Sequence, residues 1–246
     1  MLAKPLDGLI MTNNKPHLLV VSPCGEGVAG GGYLVSCLSL QRAFINKGWG
    51  INFSFKSGPL LHRMRNEFAL EVINSNKYTH ILMVDSDIQF LADSVIKKLD
   101  LNKEVVAGVV PQKRYEEKGL IYNAEARKDC VLQEDNSVEL SRVGTAFLLI
   151  EKEVFNKLKP FSKKVRYKSS SQESQQIWQD ETIEVWNFFD FPLDDNLVEI
   201  GEDISFCLKC KKAGVPIYTL PTENFVHWGV HAYTGNTMDF FGRLNA

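Results

Sequence analysis

Thr79-His80-Ile81-Leu82-Met83-Val84-Asp85-Ser86-Asp87 is the stretch on which the fold turns. Four consecutive apolar residues, Ile81 to Val84, read as a short strand buried on both faces, the pattern of a central strand in a parallel sheet. The strand runs directly into two carboxylates one residue apart. Side chains alternate along an extended chain, so Asp85 and Asp87 are expected to point the same way and to face one cation. In open α/β sheets ligands bind beyond the carboxyl ends of the strands, where this pair lies. Hard oxygen ligands suit Mg²⁺ or Mn²⁺, an ion that bridges protein carboxylates to a diphosphate and neutralises charge growing on a leaving group. The ordinary alternative is that one aspartate caps the next helix and the other is solvated.

Working outward, the chain alternates between strand and helix patterns. His17 to Ser22 is an apolar run ending in the glycine-rich stretch Pro23 to Gly32. Apolar residues at Leu34, Cys37, Leu38, Phe44 and Ile45, with Gly48 as the stop, have helical spacing. Ile51 to Lys56 alternates as a strand, Leu61, Met64, Phe68 and Val72 mark a second helix, Ala92 to Leu99 a third, and Val105 to Val110 another strand. This order predicts an α/β fold with a mostly parallel, right-handed, nucleotide-binding sheet. After Pro111, short strands are expected at Leu120 to Ala124, Val138 to Val143 and Ala146 to Ile150, then a short helix from Glu151 to Leu158. Residues 160–195 read as one long loop, serine- and glutamine-rich and then aromatic, of the kind that forms lids. Gly201-Glu202-Asp203 opens a helix stopped by Gly214, and Val215 to Leu220 is a strand. A single domain over 1–246 is expected, with residues 15–115 as the nucleotide-binding half and 116–246 on the acceptor side.

The 246 residues, 44% hydrophobic and 24% charged, suffice for one sizeable core. A net charge of -2 and a pI near 6.2 give no global basic field for nucleic acid. Five cysteines, an odd number in a chain too long to need a disulfide scaffold, point to free thiols in a reducing compartment, with the cytoplasm as the default. No apolar run approaches the roughly 18 residues of a membrane span. Cys207 and Cys210 form a CxxC without a second ligand pair, so two buried helix positions are expected rather than a zinc site.

The Thr79–Asp87 segment resembles the DxD region of GT-A glycosyltransferases. Arg65-Asn66 in the preceding helix resembles their upstream RN pair, Gly201-Glu202-Asp203 their acidic xED motif, and His227 in Phe225-Val226-His227-Trp228-Gly229 their late metal-binding histidine. The motifs follow in the family's order over most of the chain, outside residues 160–195. The resemblance implies a metal-dependent transfer from a nucleotide sugar, UDP-linked by expectation, to a hydroxyl. Asp85 would contact the nucleotide ribose or the metal, with Ser86 beside it. Asp87 and His227 would complete the Mn²⁺ or Mg²⁺ site, and Arg65 would balance phosphate or aspartate charge. Ser22 and Pro23 would lie beside the nucleobase, and Gly144-Thr145 near the donor sugar.

Asp203 is then the candidate base for an inverting reaction, with Glu202 positioning the acceptor. A helix N-terminus is expected to lower the Asp203 pKa, weakening the base while keeping it ionised. The bland counterparts are that Glu202 and Asp203 merely cap the helix, that Gly144 is a strand bulge, and that His227 is a half-buried aromatic; His231 is a weaker metal candidate. Trp178 and Trp186 offer faces on which a sugar or a base could stack, or else belong to the core. Lys163, Lys164, Arg166 and Lys168 form the one dense basic cluster, most simply a solvated loop, otherwise a lure for a phosphate-bearing acceptor. A glycan, a lipid-linked sugar or a modified nucleic-acid base all remain open as acceptor. Among rivals, Gly25 to Gly32 lacks the G-K-[ST] of a P-loop. It also lacks the Arg and Lys signature of a sugar nucleotidyltransferase, and Asp85 lies too far along the chain for a haloacid-dehalogenase-like phosphatase. Sugar nucleotidyltransfer and a non-catalytic carbohydrate- or nucleotide-binding module stand as the alternatives.

Overall fold

A computed structural model describes residues 15–24, 27–117, 119–168 and 182–242. The first half alternates: β1 (His17–Cys24), α1 (Gly31–Lys47), β2 (Gly50–Ser57), α2 (Leu61–Asn74), β3 (His80–Val84), β4 (Ile88–Gln89), α3 (Ala92–Asp100) and β5 (Val105–Ala107). The second half is richer in strand: β6 (Pro111–Glu116), β7 (Gly119–Tyr122), β8 (Ala124–Ala126), β9 (Val138–Val143), β10 (Phe147–Glu151), α4 (Lys152–Leu158), β11 (Lys164–Lys168) and β12 (Thr182–Trp186). It closes with α5 (Glu202–Lys212), β13 (Ile217–Thr219), β14 (Asn224–Trp228), β15 (Ala232–Asn236) and α6 (Thr237–Gly242).

Eight strands form the central sheet in the order β2-β1-β3-β10-β5-β13-β9-β8. β2, β1, β3, β5, β13 and β8 share one direction, and β10 and β9 oppose it. The α/β class and the mostly parallel sheet are as expected. Both faces are covered, which is why Ile81 to Val84 is apolar without a break: Ile81 and Met83 join a cluster with α2, α4 and α5, whereas Leu82 and Val84 join another with α1 and α3. Each such side chain, removed from water, contributes about 1.5–3 kcal/mol.

Several expectations need correction. α1 buries Tyr33, Ser36, Cys37, Leu40 and Phe44, while Leu34, Leu38 and Ile45 face solvent, so only part of its apolar pattern marks the core. Residues 160–195 are not one loop. β11 and β12 pair antiparallel through it, with Tyr167 and Val185 buried, an alternation too short and too charged to stand out in sequence. The basic cluster is therefore largely a strand, and Lys164 is paired with Glu184 on the partner strand. The strand expected over Val105 to Val110 leaves the sheet after Ala107, and that over Leu120 to Ala124 breaks at Asn123. Cys207 and Cys210 are buried free thiols, as expected, and burial pushes Cys207 up to about 11.

The returning segment after β12 is fastened by Asn66. Its Nδ2 donates toward Asn187 Oδ1 at 2.7 Å and the Phe189 carbonyl at 2.9 Å, and its Oδ1 accepts from the Phe189 amide at 2.9 Å. Lys209 donates to the Asn187 and Phe188 carbonyls from the other side, at 3.0 and 2.9 Å. Asn66→Leu strands the buried Phe189 amide, so we expect a loss of about 2–4 kcal/mol in urea denaturation and faster proteolysis within residues 187–190.

Candidate active site

Arg65 projects from α2 to a place beneath the cleft, where it is 3% exposed. Nη1 donates to Glu202 Oε1 at 2.7 Å and Nη2 to Asp85 Oδ1 at 3.2 Å, so one guanidinium joins the end of β3 to the first turn of α5. Burial pushes the Asp85 carboxyl above the usual carboxylate range, with Arg65 pulling it back and the nearby charge of Asp87 raising it further. Arg65→Met would leave two carboxylates in the cleft without their cation. The expected cost is about 3–5 kcal/mol of stability at neutral pH, read by chemical denaturation.

Asp87 has different partners. Ile88 N donates to the Asp85 carbonyl at 3.1 Å, closing a turn, so the alternation of an extended chain does not apply, and the two carboxylates have different ion-pair partners. β14 pairs with β4 in the register His227↔Ile88, and Trp228 N donates to the Asp87 carbonyl at 2.9 Å. His227 Nε2 thereby comes to 3.4 Å from Asp87 Oδ2. Its other ring nitrogen, Nδ1, lies 2.8 Å from the Pro111 carbonyl. A carbonyl only accepts, so Nδ1 carries the hydrogen, and in the neutral ring the Nε2 lone pair faces the carboxylate oxygen. Two acceptors facing each other call for a cation between them. Lys113 Nζ reaches the same Oδ2 at 2.5 Å. Burial would raise the Asp87 carboxyl, but the hydrogen bonds and charges of His227, in its protonated form, and of Lys113 outweigh it and hold the group below the usual range.

Asp87 and His227 are the two side chains here that could hold a divalent ion between them. Asp85 faces Arg65 instead, and among the described residues no three His, Cys, Asp or Glu side chains gather at ligand distance. His231 packs against Tyr233, with ring centres 4.2 Å apart and planes tilted by 31°.

Asp203 sits in the first turn of α5. Its Oδ1 accepts from Ile204 N at 2.7 Å, and its Oδ2 faces Gly144, where a Cβ would stand 3.3 Å away. Gly144 N donates to the Asn123 carbonyl at 2.7 Å, and Asn123 Oδ1 accepts from Val110 N at 2.8 Å. A cavity of about 330 Å³ opens here, lined by Gln112, Tyr122, Asn123, Gly144 and Asp203. The expected lowering of the Asp203 pKa is overturned. Burial raises it above the usual range, outweighing the Ile204 N–H, and the neighbouring charge of Glu202 adds to the rise. A group held high when folded is favourable only while protonated: its contribution is present below its ordinary 3.8 and is lost as pH rises through the folded value. Asp203→Asn keeps an acceptor for Ile204 N, so we expect a higher melting temperature than wild type at pH 7, with the difference gone below about pH 3.8.

The other sequence-derived residues are placed unevenly. Ser22 is fully buried with its Oγ 2.6 Å from the Tyr33 hydroxyl, so its side chain is committed inward, and Pro23 is buried beside it. The Ser86 carbonyl accepts from Gly30 N at 2.7 Å and its Oγ donates to the Val28 carbonyl at 3.2 Å, which fixes the glycine-rich loop on the strand end. Thr145 is buried next to Ala146, whose carbonyl accepts from Asp85 N at 3.1 Å. Trp186 is partly buried against the core, and Trp178 lies outside the described residues. Lys113 and Asn123 were missed. Lys113 had one visible signal, its place just past the end of an apolar strand.

No protein-family model and no curated protein matches the chain. Among solved structures, A197 from STIV is 16% identical, covering 87% of this chain and 86% of its own, with a TM-score of 0.48. A variant of Drosophila β-1,4-galactosyltransferase 7, in complex with manganese, UDP-Gal and xylobiose, is 11% identical over 93% of this chain and 73% of its own, with a TM-score of 0.46. A glycosyltransferase involved in glycosylating the major capsid of PBCV-1 is 13% identical over 57% and 62%, with a TM-score of 0.33.

Proposed function

We propose that this chain moves a sugar from a nucleotide diphosphate sugar, UDP-linked, to a hydroxyl acceptor, with inversion and with Asp203 as the base. The observation that carries this reading is the Arg65 bridge, which brings the strand-end carboxylate Asp85 and the helix-end carboxylate Glu202 to one cleft beside the Asp203 cavity. Two acidic motifs that merely capped helices would have no reason to share a buried cation.

In this reading the donor diphosphate lies at the Asp87, His227 and Lys113 corner, and the nucleoside runs toward the carboxyl end of β1. A divalent ion held by Asp87 and His227 would neutralise the departing diphosphate. Gly144 leaves room for the donor sugar beside Asp203, since any side chain there would crowd the carboxylate. Asp203 Oδ2 then accepts the proton of the attacking hydroxyl as the oxygen bonds to the anomeric carbon and the bond to the diphosphate breaks. Its raised pKa brings it nearer to neutrality and makes it a stronger base than an ordinary aspartate. Glu202, tied to Arg65, is fixed next to it and positions the acceptor. Among the described residues no helix is long and apolar enough to cross a membrane.

Nucleotide release from a panel of nucleotide sugars, with and without Mn²⁺, tests this. We expect release with a UDP-sugar and an acceptor, a loss of metal-dependent donor binding in Asp87→Asn, and a fall of about 10²–10⁴-fold in turnover with intact donor binding in Asp203→Asn. Full turnover in the Asp203 variant would remove the base, and release of diphosphate rather than nucleotide would point to nucleotidyl transfer.

A further inference from the structure

Lys113 is the cation at the Asp87 corner, and it is exposed enough to change partner. Arg65 is sealed, its side chain 4% exposed, with both its carboxylates fixed by it. The Lys113 side chain is 38% exposed, and it holds a single carboxylate oxygen, Asp87 Oδ2 at 2.5 Å. That oxygen is also the one facing the His227 Nε2 lone pair. A divalent ion at this corner and the Lys113 ammonium therefore compete for one atom.

The placement is built into the fold. Pro111 and Lys113 lie two apart on β6, and the same strand supplies the carbonyl that holds His227 Nδ1 and the ammonium that meets Asp87. The methylene stem of Lys113 runs beneath the turn between β14 and β15, where Gly229 leaves room for it: a Cβ there would stand 3.0 Å from Lys113 Cδ. With Lys113 in place Asp87 is already neutralised, and an arriving cation gains little. A diphosphate in the cleft changes this, because it offers Lys113 a new anionic partner and offers the metal further oxygens.

We propose that Lys113 is a displaceable internal cation, which occupies Asp87 in the free protein and moves to a phosphate oxygen of the donor, so that divalent metal and nucleotide diphosphate bind with positive coupling. This rests on the donor reading above and adds an order to it: the metal site is completed by the donor. The coupling is reciprocal, so the metal tightens the nucleotide by the same factor as the nucleotide tightens the metal.

The test is a titration of Mn²⁺, free ion read by electron paramagnetic resonance, into the wild-type chain, Lys113→Met and Lys113→Arg, each with and without UDP. For the wild type, weak Mn²⁺ binding alone and at least about tenfold tighter binding with UDP are expected. Lys113→Met should bind Mn²⁺ about tenfold tighter than wild type without UDP, the effect of removing one like charge a few ångströms away in a partly solvated cleft, and should lose a similar factor of the enhancement by UDP. Lys113→Arg, which keeps the charge, should behave as wild type and shows that the change is not one of folding. Unchanged or weaker Mn²⁺ affinity in Lys113→Met, with UDP still bound, overturns the exchange and leaves the donor reading standing. Absence of UDP binding by calorimetry in the wild type overturns both.

Discussion

Arg65 lies beneath the cleft with two carboxylates that are 20 and 137 residues away in sequence. A buried guanidinium is costly unless charge and hydrogen bonding compensate it, so its position constrains everything around it. α2 must pack tightly against the sheet to hold it, the end of β3 must present Asp85 to one side, and α5 must begin where Glu202 meets the other. Once α5 is placed, Asp203 is placed as well, since it follows Glu202 in the same turn. Asn66, the next residue on α2, fastens the returning segment at Phe189, and Lys209 of α5 holds that segment from the opposite side. The same short piece of α2 thus sets the electrostatics of the cleft and closes one of its walls.

Two features of topology bring the remaining groups in. The antiparallel insertion of β10 between β3 and β5 sets Phe147 opposite Val84, so Gly144 and Thr145 arrive beside Asp85 and Asp203. The pairing of β14 with the two-residue β4 carries His227 to Asp87 from far along the chain. The result is a cleft with a graded electrostatic character. Arg65 balances its centre, a carboxylate with an imidazole and an ammonium forms one corner, and Asp203 beside Gly144 is held above its ordinary range by burial.

The alternating half of the fold was legible because β1 and β3 carry unbroken apolar runs, β2 alternates, and α1 ends at Gly48. The Asp85 and Asp87 pair, Glu202 with Asp203, and His227 were legible as residue types. Their arrangement was not. The turn that sends Asp85 and Asp87 to different partners depends on an Asp85 carbonyl to Ile88 amide bond that no side-chain pattern announces. Lys113 escaped notice because its role depends on β6 passing His227, a contact between two separate sheets that no sequence periodicity announces. The pKa of Asp203 came out opposite to expectation because helix position is local and readable, whereas burial is a property of the assembled cleft.

Amide hydrogen exchange of the chain with and without UDP and Mn²⁺ tests most directly whether these segments form one donor site. The account predicts that protection rises together at residues 84–88, 111–113, 144–146 and 201–204, the pieces joined by Arg65, Asp87 and Gly144. Protection confined elsewhere, for instance to the separate groove lined by Arg127, Ser141 and Lys211, would contradict it.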